Sequence, residues 1–254
     1  MNEIRFDTNN YEFNKSSKMG VYLLHGFSST TYEVKQLAQF LSKHGYHTVA
    51  NNLPGHGTTL EECNRIKFNH WLDFVKKDVA KLSSESEKIF VIGNSMGAVL
   101  TLFLASLFPL NGFIAAGTVL KFKKYFSTNI LVPIFCHIKK YQQKNKVVTV
   151  DGVKFYGYDK YPLIALNEYR KMIKKIVPLM PKVKSPGLII HSWADNVSTV
   201  QNVKMINRHI NNQNLETMYV DNAHHNMFDS NIDQEKIFNK ILDFLNKYQL
   251  NKKD

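Results

Sequence analysis

The chain reads as an α/β fold: a mostly parallel central sheet with helices on both faces. Three observations predict this. Short apolar runs alternate with longer segments of helical periodicity along most of the chain. One run, Lys88–Ile92 (KIFVI), leads directly into Gly93-Asn94-Ser95-Met96-Gly97, and a helical pattern follows. The length, 254 residues, suits one open α/β domain, a type that often reaches about 250 residues.

Met19–Leu24 (MGVYLL) predicts a buried strand that ends at His25-Gly26. Thr31–His44 places Val34, Leu37 and Leu41 on one helical face, and Gly45 stops the helix. Tyr46–Ala50 is the next strand, and Asn51–Gly57 (NNLPGHG) is turn chemistry. Asn69 is placed to cap a helix carrying Trp71, Leu72, Val75, Val79 and Leu82. Ala98–Phe108 reads as helix and Gly112–Gly117 as a short strand. From about Leu120 to Met180 the alternation breaks. It resumes with strand Gly187–His191, a helix near Thr199–Ile210, strand Leu215–Val220 and a final amphipathic helix near Gln234–Tyr248. One domain over residues 1–254 is expected, with a cap inserted at about 121–178. Such an insertion falls at the carboxyl edge of the strands, where open α/β sheets hold ligands.

Composition narrows the class. The 44% apolar content supports a full core, and no apolar run reaches the roughly 20 residues of a membrane span. Met1–Asn10 lacks the charged-then-apolar pattern of a secretory signal. Cys63 and Cys136 make no metal-ligand pair, so two free thiols and a cytoplasmic location are expected. The net charge is +12, but the lysines are scattered, with patches at 121–124, 139–140 and 174–175. No arginine stripe, zinc motif or RNA-binding signature accompanies them, so no nucleic-acid partner is expected.

The strand–turn–helix context makes Gly93-x-Ser95-x-Gly97 a nucleophile elbow, with Ser95 as nucleophile. The turn raises the hydroxyl above the sheet and sets the Met96 N–H at a helix N-terminus, where it favours an oxyanion. A second donor belongs after the first buried strand, and the Phe27 N–H fits, with Gly26 permitting close approach. His25 is expected to tie down the neighbouring loop, and His56 to shape a turn. The acid and base must follow in chain order. Asp195 is the only acidic residue between Glu168 and Glu216. The base follows strand Leu215–Val220, where His224 and His225 are adjacent. Consecutive extended side chains point to different sides, so only one faces the serine. His224 is preferred as base, with His225 as a neighbour lining the leaving-group side. Asp221 is a poorer partner because it is so near in sequence.

With these residues in hand, the chain resembles the bacterial carboxylesterase and monoacylglycerol-lipase branch of the α/β-hydrolases. The similar pieces are HGF at 25–27, LPGHG at 53–57, GNSMG at 93–97, ADNV at 194–197 and NAHHNMFD at 222–229. The last resembles the family's small residue–His–x–x–x–x–Asp pattern, which puts His224 on the catalytic position. Asn94 departs from the His or Leu many relatives carry. The resemblance implies hydrolysis of short- to medium-chain esters or monoacylglycerols through an acyl-enzyme, with no metal or organic cofactor and no stable membrane insertion. It also implies a small cap, in which Leu131, Val132, Ile134 and Phe135 could line an acyl pocket. Gly26, Asn94 and His225 are the remaining pocket candidates. A thioesterase, an amidase, a C–C bond hydrolase and a non-catalytic ligand-binding module are the alternatives.

Overall fold

The structure is a computed structural model that describes residues 6–144 and 157–249. In chain order, β1 (Tyr11–Phe13) and β2 (Met19–Leu24) precede α1 (Tyr32–Lys43), β3 (His47–Ala50), α2 (Leu60–Arg65) and α3 (Phe68–Glu85). Then come β4 (Lys88–Asn94), α4 (Met96–Leu107) and β5 (Gly112–Ala116). A π-helical turn (Ser127–Leu131), α5 (Val132–Phe135), β6 (Tyr141–Gln143), β7 (Lys160–Pro162), α6 (Leu163–Ile176) and a 3-10 turn (Val177–Lys182) follow. The chain closes with β8 (Gly187–Ser192), α7 (Val200–His209), β9 (Leu215–Val220) and α8 (Gln234–Gln249).

Seven strands form one sheet in the order β1-β3-β2-β4-β5-β8-β9. All neighbours are parallel except β1, which pairs antiparallel with β3 at the edge. Three residues of YEF are too short to show alternation, which is why this strand is silent in the sequence. The central strands are apolar on both faces, as buried parallel strands must be. In β4, Ile89 and Val91 pack on the side of α3, α4, α6 and α7, while Phe90 and Ile92 pack on the side of α1 and α8. Two hydrophobic layers therefore share one sheet, with Trp71, Val99 and Met172 in one and Leu37, Ile241 and Phe244 in the other.

One helix boundary departs from expectation. The third helix begins at Phe68, so Asn69 sits inside its first turn and caps nothing. Lys67 is the extended residue at the entry, and its amide donates to His70 Nδ1 at 3.3 Å. Both cysteines are free and buried. Among the described residues no helix is long and apolar enough to cross a membrane.

The expected cap at about 121–178 has residues 145–156 outside the described residues, as are residues 1–5 of the N-terminal stretch. Its described parts comprise short helical turns, the antiparallel β6–β7 pair and α6, and residues of each border the cavity that also takes in Ser95 at the end of β4. The alternation fails there because β6 and β7 pair with each other and not with the seven-stranded sheet.

Candidate active site

The loops after β2, β4, β8 and β9 emerge at the same edge of the sheet because those strands are parallel. Each carries one component of the site.

Ser95 joins β4 to α4 with φ 57° and ψ −113°, a strained conformation for a residue with a side chain. The glycines on either side are sterically required. A Cβ on Gly93 would lie 2.3 Å from the Gly97 backbone, and one on Gly97 would lie 2.2 Å from the Leu24 carbonyl oxygen. The turn is held by the Ser95 amide donating to the Ala116 carbonyl at 2.9 Å.

Ser95 Oγ donates to Nε2 of His225 at 2.8 Å, and Nδ1 of His225 donates to Asp195 Oδ2 at 2.8 Å. The expectation for His224 is therefore corrected: its side chain is exposed, and the neighbouring imidazole faces the serine. The reason lies in the anchoring of the loop. Ala223, Met227 and Phe228 are fully buried in the layer beneath α1 and α8. With Ala223 turned inward, the next side chain turns outward and His225 turns back. The apolar residues of VDNAHHNMF at 220–228 around the pair were the available signal; the motif spacing pointed one residue too early.

Asp195 is the carboxylate that reaches the histidine, as expected. Its Oδ1 accepts from the amides of Val197 and Ser198, both at 2.8 Å. Burial alone would raise its pKa, but the His225 charge and these hydrogen bonds outweigh it and hold the carboxyl below its ordinary value. Burial likewise opposes the charged form of His225. The Asp195 charge and hydrogen bond, with a contribution from Glu33, reverse that and leave the imidazole raised.

The Phe27 amide lies on the loop after β2 and donates to no other described residue. The Met96 amide is the first of α4, and the first amides of a helix have no partner within it. His25 has the structural role expected of it. Its Nδ1 donates to the Gly26 carbonyl at 2.8 Å and its Nε2 accepts from the Leu53 amide at 3.1 Å. Burial pushes its pKa down to about 4, so the ring stays neutral and can do both. The His56 ring packs near Phe27 and Trp71 beneath the site, and burial pushes it well down too.

Glu33 is the component that sequence reasoning missed. It stands in the first turn of α1 and is 1% exposed. Its carboxylate accepts from the Gly26 amide at 2.6 Å and from Asn94 Nδ2 at 2.7 Å. Asn94 Nδ2 also donates to the His225 carbonyl at 3.2 Å. One buried carboxylate thereby ties together the loop of Phe27, the elbow of Ser95 and the loop of His225. Burial raises its pKa. A helical pattern marks position 33 as facing inward, but only the fold reveals what it meets there.

A cavity of about 610 Å³ opens over Ser95. Of the residues expected to line a pocket, Gly26, His225, Leu131, Val132 and Phe135 border it, and so do Phe27, Leu163, Leu166 and Tyr169. Two pocket expectations are corrected. Asn94 is fully buried below the cavity, committed to Glu33 and the His225 carbonyl. Ile134 is 60% exposed and faces away, because α5 turns its other side, through Val132 and Cys136, towards Leu163.

Fold and site together define this protein as an α/β-hydrolase. The serine aminopeptidase S33 model of the Hydrolase_4 family matches residues 15–231. The chain belongs to that family. It is 28% identical to a thermostable monoacylglycerol lipase of Bacillus sp. (strain H-257), covering 92% of this chain and 93% of that one. It is 23% identical to a carboxylesterase of Bacillus subtilis (strain 168), over 92% of this chain and 94% of that one. A solved structure described with two metagenome-derived lipolytic enzymes superposes with a TM-score of 0.85 at 25% identity, covering 94% of this chain and 98% of that one.

Proposed function

We infer that this chain is a carboxylic-ester hydrolase acting through Ser95, His225 and Asp195. The observation that carries this is the continuous hydrogen-bonded line from Ser95 Oγ through the imidazole to the Asp195 carboxylate, each link 2.8 Å long. Its likeness to a lipase and an esterase over nearly the whole chain favours esters.

His225 Nε2 takes the Ser95 proton as Oγ attacks the ester carbonyl. Asp195 holds the Nδ1–H tautomer and stabilises the imidazolium. The amides of Phe27 and Met96 receive the oxyanion; losing one such donor typically costs about 3 kcal/mol of transition-state stabilisation. The imidazolium returns its proton to the leaving alcohol. Water, activated by the same ring, then releases the acyl group. The segment at about 121–178 serves as the cap, and its Leu131, Val132 and Phe135 form the acyl wall. The substrate class is short- to medium-chain esters or monoacylglycerols, and the reaction needs no cofactor.

A fluorophosphonate probe tests this directly. Wild-type protein is expected to be labelled at Ser95 and to lose 4-nitrophenyl butyrate turnover in proportion. Ser95→Ala is expected to lose both labelling and turnover; turnover near the wild-type rate in that variant would sink the assignment.

A further inference from the structure

The cavity over Ser95 carries more positive charge than a neutral ester requires. Lys123, Lys124, Lys139 and Lys144 all line it. Glu33 is the only acidic residue among the described residues that does, and its carboxylate is already engaged by Gly26 and Asn94. Among the described residues, none of the four ammonium groups lies within 4.0 Å of a carboxylate.

Lys144 differs from the other three. Lys123, Lys124 and Lys139 are exposed at the mouth, but Lys144 reaches inward. Its Nζ donates to the Ser28 carbonyl over a long 3.4 Å and stands 5.2 Å from the centre of the Tyr161 ring. An ammonium has three donors to satisfy, and among the described residues this one has a single long acceptor. Burial pushes its pKa down to about 8, more than the nearby charges of Glu33 and Asp159 push it up. Ser28 is the residue after Phe27, so an anion held by Lys144 lies beside the amide that faces the oxyanion. The rest of the lining, including Val119, Leu131, Val132, Leu163 and Leu166, is apolar. The cavity thus pairs an apolar wall with an inner cation and a cationic mouth.

We propose that the cavity accepts an amphiphilic ester whose polar end is anionic, a phosphate or a carboxylate a few bonds from the ester oxygen. Lys144 is its inner contact, and Lys123, Lys124 and Lys139 draw it in. The inference rests on the ester-hydrolase function above and names its substrate class. The chemistry is unchanged: water adds across the acyl C–O bond and releases a fatty acid and an anionic alcohol.

Three octanoyl esters, used as monomers, provide the test: 1-octanoylglycerol, 1-octanoylglycerol-3-phosphate and the octanoyl ester of lactate. At low ionic strength, kcat/KM for at least one anionic ester is expected to exceed the neutral one by about tenfold or more. Whichever anion leads identifies the headgroup. Added salt is expected to shrink the ratio, since screening acts on charge and not on the apolar wall. Lys144→Gln is expected to reduce the ratio at least about fivefold, and Lys144→Arg to restore most of it. The salt series on wild-type protein stands even if Lys144→Gln does not fold. The proposal is overturned if both anionic esters are hydrolysed no better than 1-octanoylglycerol while 4-nitrophenyl butyrate is still turned over. A preference that survives Lys144→Gln unchanged overturns the role of Lys144. Failure to hydrolyse any ester, with no labelling of Ser95, instead overturns the hydrolase function itself.

Discussion

The floor and the roof of the cavity present opposite kinds of surface. On the floor, Ser95, Asp195 and Glu33 are nearly inaccessible, and each polar group has a defined partner within 3 Å. On the roof, Val132, Leu131 and Phe135 line the cavity, while Phe126, Ile130, Ile134 and Ile138 on the outer side recur every four residues and are 66%, 42%, 60% and 82% exposed. Lysines flank them, and the polypeptide runs through a π-helical turn and two short elements. The floor holds atoms where the chemistry requires them, because its loops are pinned by parallel strands and a shared carboxylate. The roof offers apolar surface and charge with little internal bonding. On the proposed function, the difference teaches that the reaction type is set by the floor and the choice of substrate by the roof.

The sharpest way to break this comparison is at the two histidines. His225→Ala removes the base from the floor and is expected to lower kcat/KM by about 10⁴-fold, the scale of losing a triad member. His224→Ala, one residue away but facing solvent, is expected to stay within about threefold. The reverse ranking in an ester assay would show that the loop is shifted by one residue in solution.

Glu33→Gln tests whether the floor is tied by a single carboxylate. His225 must be neutral to accept the serine proton, so activity falls as pH drops through its pKa. Because that pKa is raised, the acidic limb of kcat/KM is expected above the ordinary value of 6.5. Asp195 and Glu33 supply the raising charge, while burial acts against it. Removing the Glu33 charge destabilises the imidazolium and moves the limb to lower pH. Loosening of the Gly26 loop is expected to cost about tenfold in kcat at the plateau. A lower rate with an unmoved limb would leave Glu33 a purely structural residue.

The smallest effect belongs to the roof. Phe135→Ala is expected to lower the octanoyl-to-acetyl ratio of kcat/KM by about fivefold, on the order of 1 kcal/mol of apolar contact. A ratio that does not move would place the acyl chain against another wall.

Much of the floor was legible in the sequence, because local rules govern it. A serine between two glycines at a strand–helix junction needs that spacing, as the clashes at Gly93 and Gly97 show. Asp195 was identifiable because no other acid competes for the position after β8. The histidine was legible only to within one residue. The motif spacing falls on His224, and the shift to His225 rested on Ala223, Met227 and Phe228, whose burial depends on a layer assembled from α1 and α8. Glu33 and Asn94 were illegible for the same reason: they lie 61 residues apart in sequence and 2.7 Å apart in space.

By itself, then, the sequence determined the layered α/β architecture, the proposed nucleophile and acid, and the loop that carries the proposed base. Those features follow from periodicity, turn chemistry and chain order, all of which act over a few residues. Only the tertiary structure decided which imidazole meets the serine, that a buried glutamate joins three loops, and that four lysines share one cavity with it. These are facts of packing: each side chain's direction is set by distant elements that bury its neighbours.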